Sequence, residues 1–192
     1  MTLHIRPAQP FDAAFAAPLI AHTIGAIGWA LTGTAQDDDA AQVIGLMFGL
    51  RGHRLSYTHT LIAEQAGRPV GVAVLYPGEL AHALDEPFRV HLRSLNPSAL
   101  GRPGEVVSEG RPGELYLDTL AVVPQARGQG VGAALLLACA ARADAVGLPL
   151  ALLVEDGNPA RRLYGRHGFV AAGRDTIAGH TYTRLMRPLT HA

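Results

Sequence analysis

The sequence predicts an α/β (α+β) fold: a mixed, mostly antiparallel central sheet of about six to seven strands with flanking helices. Three observations carry this. The second half reads strand, helix, strand, helix, strand, strand. A hairpin pattern occupies residues 58–76. The N-terminal quarter holds two apolar stretches of helical type.

The elements follow in order. "LHIRPA" (Leu3 to Ala8) begins with apolar–polar alternation and reads as a first strand. Asp12 is placed to cap a helix running to about Thr32. "DDDAAQVIGLMFGL" offers three capping residues before a second helix. Thr58–Gln65 and Pro69–Tyr76 are rich in strand formers, with Ala66–Gly67–Arg68 as the turn. Residues 77–113 are the least regular: one or two short helices, then "NPSALGRPGEVVSEGRPGE", which reads as a mobile loop. Glu114–Val123 is a strand, 131–146 a helix ended by Gly147 and Pro149, and 148–156 a buried strand. Asn158 as N-cap, Pro159 at the first helical position and Gly168 as stop delimit a short helix. "FVAAGRDTI" and "HTYTRLMRPL" close the chain as two strands.

With 192 residues, 48% hydrophobic and 17% charged, the chain is of the size and composition of one globular domain, 1–192. Sixteen basic residues balance sixteen acidic ones, so no net field favours nucleic acid or an acidic membrane. The N-terminus lacks a basic start, a long apolar core and a cleavage site, so no signal peptide or membrane span is read and the expected location is cytoplasmic. The single cysteine, Cys139, lies in an Ala/Leu helix and reads as a packing residue. The nine histidines show no paired ligand spacing, so no metal is expected. Trp29, Phe48, Tyr57 and Tyr76 read as core or substrate-wall residues, since no basic stripe accompanies them.

The most informative stretch is "VVPQARGQGVGAALLLACAARA". A strand running into a glycine-rich turn and then a helix is an anion site. The first amides of a helix have no internal partner, and glycine lets a phosphate approach them. A P-loop is excluded because "GVGAAL" lacks Gly-Lys-Ser/Thr. The dinucleotide pattern G-x-G-x-x-G/A is met by Gly128, Gly130 and Ala133. However, only about 36 residues follow Asp156, too few for further parallel strand–helix units.

A third pattern, R/Q-x-x-G-x-G/A, is met by Arg127, Gly130 and Gly132. With it, "YLDTLAVVPQARGQGVGAALL" resembles the fourth strand, pyrophosphate loop and helix of the GNAT superfamily of acyl-CoA-dependent N-acyltransferases. "LLVEDGNPARRLYGRHGFV" resembles that family's fifth strand and its A-x-x-x-Y-x-x-x-G-F segment, through Ala160, Tyr164, Gly168 and Phe169. The two blocks span about residues 114–170 in the family's order. One departure stands out: the asparagine usually found three residues before the alanine falls on Gly157, and Asn158 sits one residue closer.

The resemblance implies parallel strands four and five that splay apart, with acetyl-CoA as cosubstrate in the gap. Backbone groups of Leu120, Ala121 and Val122 would pair with pantetheine. Amides of Arg127, Gly128, Gln129, Gly130, Val131 and Gly132 would hold the pyrophosphate, and Asn158 would both cap its helix and touch the cofactor. Tyr164 would protonate the leaving thiolate; on residue pattern alone it also reads as a core aromatic. Strand alternation puts Glu114, Tyr116 and Asp118 on one face, which makes Asp118 and Glu114 candidate bases for the amine, or structural hydrogen-bonders. The implied activity is N-acetyl transfer by direct attack on a small-molecule amine. A CoA-binding regulatory or interaction module without turnover is the alternative, and a homodimer stays open.

Overall fold

The computed structural model describes residues 3–95, 106–177 and 179–189. Its strands are β1 (Leu3–Pro7), β2 (Thr60–Gln65), β3 (Arg68–Pro77), β4 (Leu115–Val122), β5 (Leu150–Glu155), β6 (Val170–Ile177) and β7 (His180–Arg187). They form one seven-stranded sheet in the order β1-β2-β3-β4-β5-β7-β6. Every neighbouring pair is antiparallel except β4 and β5, which run parallel. Among the described residues, six α-helices flank it: α1 (Ala13–Ile24), α2 (Ala26–Thr32), α3 (Asp37–Phe48), α4 (Ala81–Leu95), α5 (Val131–Ala145) and α6 (Arg161–Arg166). Among the described residues, no single helix is long and apolar enough to cross a membrane.

Two apolar layers sandwich the sheet. On one face α5 buries Val131, Leu135, Leu136, Cys139 and Ala143 against Leu75, Leu117, Leu150 and Leu152. Burial pushes the Cys139 thiol up to about 12, in keeping with a packing role. On the other face Ala16, Ile20, Ile24, Ile44 and Phe48 of α1 and α3 pack with Ile62, Val72 and Val74. Full burial of a side chain such as Ile20 is worth about 1.5–3 kcal/mol.

Three local expectations are corrected. The single helix expected from Asp12 to Thr32 is two helices meeting at a corner of 116°. Gly25 makes that corner with φ 47° and ψ −121°, which a helix cannot contain. Asp12 does not cap α1 with its side chain; its buried carboxylate accepts from Arg6 at 2.7 and 2.8 Å and from the Gln9 amide at 2.7 Å. In the 77–113 region α4 is one helix of 15 residues that tolerates Pro87. Residues 96–105 of the expected loop lie outside the described residues. The part from Val106 onward is packed: Val106 is buried in the α1/α3 layer and Glu109 is only 5% exposed.

The features that position the site are a bulge and a splay. Val74 pairs with Thr119 and Leu75 with Leu117, so Asp118 is the extra residue on β4. Leu115 and Leu117 face α5 before the bulge, and Leu120 and Val122 face it after. Beyond Leu115↔Leu150 and Tyr116↔Ala151, β4 and β5 no longer pair.

Candidate active site

The splay of β4 from β5 opens a cleft of about 610 Å³, a volume suited to a substantial small molecule. Its walls are the unpaired end of β4, the end of β5 and the α1–α2 corner around Gly25. Tyr164 from α6, and His180 and Tyr182 from the last hairpin, complete it.

Of the residues expected at the cofactor, Leu120, Ala121, Val122, Arg127, Asn158 and Tyr164 all line this cleft. β4 is paired with β3 on one side only past Tyr116, so its other edge offers backbone groups to an extended ligand. Arg127 bends back to donate from Nε to the Val122 carbonyl at 3.2 Å. Asn158 is an Asx cap: its Oδ1 accepts from the Ala160 amide at 2.9 Å, although the helix proper begins at Arg161.

Gly128, Gln129, Gly130, Val131 and Gly132 stand next to the cleft rather than in its wall. Gly128 and Gly130 are left-handed, with φ 74° and 84°. The Val131 side chain is buried in the core, leaving only its amide for a ligand. Gln129 donates to the Gln125 carbonyl at 2.8 Å. The first helical bond of α5 runs from Ala134 N–H to the Gly130 carbonyl at 3.0 Å. Among the described residues the amides of Val131, Gly132 and Ala133 are therefore left unspent at the positive end of a helix of 15 residues.

Tyr164 is 8% exposed, its ring tilted 57° to that of Phe169 at 5.7 Å. Its hydroxyl has no hydrogen-bond partner among the described residues. Burial pushes its pKa up to about 12, so the phenol stays protonated at any physiological pH.

The two carboxylates expected as bases are separated. Glu114 is not in the cleft wall. Its Oε1 accepts from Arg184 at 2.7 Å and from the Arg111 amide at 2.9 Å, which makes it a structural ion pair. Asp118 does border the cleft, but its Oδ2 accepts from Arg54 Nε at 2.8 Å, Arg54 Nη2 at 2.5 Å and the Tyr76 hydroxyl at 3.2 Å. Its Oδ1 accepts from Thr119 at 3.0 Å. Two residues that sequence reasoning missed complete this arrangement. Arg54 is fully buried beneath Tyr76, and Glu109 meets both Arg54 and Tyr116. A buried arginine leaves no local pattern, and Glu109 falls in a Pro/Gly-rich stretch. Gly78 and Gly110 seat that stretch. A side-chain carbon on Gly78 would lie 2.1 Å from the Arg111 carbonyl oxygen, and one on Gly110 would lie 2.9 Å from Gly78 Cα.

The comparisons agree with this geometry. The acetyltransferase (GNAT) family profile matches residues 34–169. A crystal structure of an acetyltransferase is 30% identical with a TM-score of 0.74, the match covering 97% of this chain and 100% of that one. An N-acetyltransferase from Staphylococcus aureus Mu50 has a TM-score of 0.78 at 22% identity, with 95% and 99% covered. A protein described as histone acetyltransferase HPA2 and related acetyltransferase, from Corynebacterium glutamicum, has a TM-score of 0.65 at 22% identity, with 100% and 99% covered. No curated protein matches the chain.

Proposed function

Because the chain belongs to the GNAT acetyltransferase family, we propose that it moves the acetyl group of acetyl-CoA directly onto the amine of a small molecule. The observation that carries this reading is the coincidence of three features at one cleft. Among the described residues they are an open strand edge on β4, unspent amides at the start of α5 beside the cleft, and an unpartnered tyrosine hydroxyl on α6. The strand edge suits an amide-bearing pantetheine arm, and the helix terminus suits a diphosphate.

In this reading the thioester lies beside Tyr164. The amine attacks its carbonyl carbon, and the C–S bond then breaks. The Tyr164 hydroxyl donates its proton to the departing sulfur. A phenol at about 12 is a weak acid for a thiol of ordinary pKa ~8.5. The same dry surroundings raise the thiol too, which narrows the gap. The acceptor occupies the part of the cleft bounded by the α1–α2 corner, His180 and Tyr182.

The test is release of CoA thiol from acetyl-CoA with a panel of amines, with product mass as confirmation. The expected result is acetylated amine in step with thiol. No release above the Tyr164→Phe background for any amine would leave a CoA-binding module without turnover as the better description.

A further inference from the structure

This inference rests on the transfer reading above and concerns where the amine's proton goes. Beneath the cleft, three carboxylates surround one buried guanidinium. Asp85 Oδ1 lies 3.4 Å from Arg54, Asp118 Oδ2 lies 2.5 Å from it, and Glu109 Oε1 is in direct contact. Like charges this close oppose full ionisation of all three. Asp118 carries four hydrogen bonds, and Asp85 takes the Ser108 hydroxyl at 2.6 Å on its second oxygen.

Glu109 differs. Among the described residues its carboxylate accepts two hydrogen bonds to Asp118's four, Oε1 from Arg54 and Oε2 from the Tyr116 hydroxyl, the latter at 2.8 Å. A carboxylate oxygen has two acceptor positions, so one stays open on Oε2, as one does on Asp118 Oδ1, but the other oxygen of Asp118 is held by three donors. The main chain at Glu109 is anchored by Arg184 Nη2 to its carbonyl at 2.6 Å. Glu109 and Tyr116 both line the cleft.

We propose that Glu109 is the catalytic base, its Oε2 taking the proton of the attacking amine, with Arg54, Asp118 and Tyr116 as positioning residues. As the N–C bond forms, the amine N–H proton passes to Oε2 and the carbonyl π pair moves to oxygen. The oxygen pair returns, the C–S bond breaks, and the sulfur takes the Tyr164 proton. Glu109 then loses its proton to water and Tyr164 regains one, so the net change is amine plus thioester to amide plus thiol. Burial holds the Glu109 carboxyl above its usual range. Asp118 pushes the same way, while Arg54 and the Tyr116 hydroxyl oppose it. Asp85 and Tyr76 complete the charged or titratable groups around Arg54, and Arg184 and Tyr182 face Glu109 from β7. A carboxylate so raised is a stronger acceptor for an amine proton.

The experiment compares pH profiles of kcat/KM for the wild type, Glu109→Gln and Tyr116→Phe, with acetyl-CoA affinity and melting temperature as folding controls. Glu109→Gln is expected to lower kcat by ~10²–10³-fold, to lose the acidic limb, and to leave the KM for acetyl-CoA unchanged. Tyr116→Phe removes a bond that favours the charged carboxylate, so its acidic limb moves to higher pH. A merely structural Glu109 would lower stability without moving a limb. Glu109→Gln retaining kcat/KM within about twofold of the wild type, or Tyr116→Phe leaving the limb in place, overturns the assignment while acetyl transfer stands. A folded wild type that releases no thiol with any amine overturns acetyl transfer and this assignment with it.

Discussion

Replacing Gly130 by Asn and by Asp separates charge from shape at the turn before α5. Gly130 is the N-cap at φ 84° and ψ −3°, and a side-chain carbon there meets nothing within 4 Å. Asn and Asp are the non-glycine residues that best tolerate this conformation, and both cap helices. Either side chain enters the open space at the turn and keeps the diphosphate from at least one first-turn amide. One charge-assisted bond is worth ~1.5–3 kcal/mol, so both variants bind acetyl-CoA about 10–100-fold more weakly. The aspartate adds repulsion. Two unit charges about 5 Å apart at an effective dielectric of ~20–40 repel by roughly 1.5–3 kcal/mol, a further ~10–100-fold. Stability runs the other way, because a carboxylate at a helix N-terminus is favourable. The Gly130→Asp protein should therefore melt no lower than Gly130→Asn yet bind worse. Calorimetric titration with acetyl-CoA at two salt concentrations reads this, and added salt narrows the gap. Equal affinities for the two variants, or wild-type affinity in both, would refute the placement of the diphosphate at this turn.

Other outcomes follow from the same contacts. Tyr164→Phe should lower kcat by roughly 10²-fold in steady-state thiol release while leaving acetyl-CoA binding intact; an equal loss of affinity would point to packing instead. Arg54→Met leaves three buried carboxylates without their cation and should cost about 3–5 kcal/mol in denaturant unfolding. That deficit should shrink as pH falls and the carboxylates protonate, and a pH-independent deficit would contradict the charge argument. Burial holds His53 below its ordinary value of 6.5. The unfolded chain therefore binds the extra proton first, and stability is full above about 6.5 and declines as pH falls below it. His59, shifted the same way by burial, adds to the decline. Thermal melts of His53→Gln should show a shallower acid slope than the wild type, and identical slopes would contradict this.

Most of the sheet was legible because its signals are local. The Ala66–Gly67 turn, with φ 52° and 72°, joins β2 to β3 at the expected residues. Gly128 and Gly130 announce α5 through backbone freedom, and Asn158 marks α6 through its Asx cap. The α1–α2 corner was not legible, since Gly25 among apolar helix formers differs little from Gly28, which stays inside α2. The ionic cluster was hidden for another reason. Arg54 meets partners 31, 55 and 64 residues away, so no window of sequence contains the cluster. Strand alternation put Glu114, Tyr116 and Asp118 on one face; in the structure the Tyr76 hydroxyl donates to Asp118, and the Tyr76 and Tyr116 rings lie 5.7 Å apart. It did not reveal that Glu114 is taken by Arg184 on β7, a residue 70 positions distant.

A crystal structure with coenzyme A bound tests the central claim most directly. The diphosphate is expected on the amides of Val131, Gly132 and Ala133, the pantetheine arm along Leu120–Val122, and the sulfur facing the Tyr164 hydroxyl. Coenzyme A seated elsewhere, with the gap between β4 and β5 still empty, would contradict it.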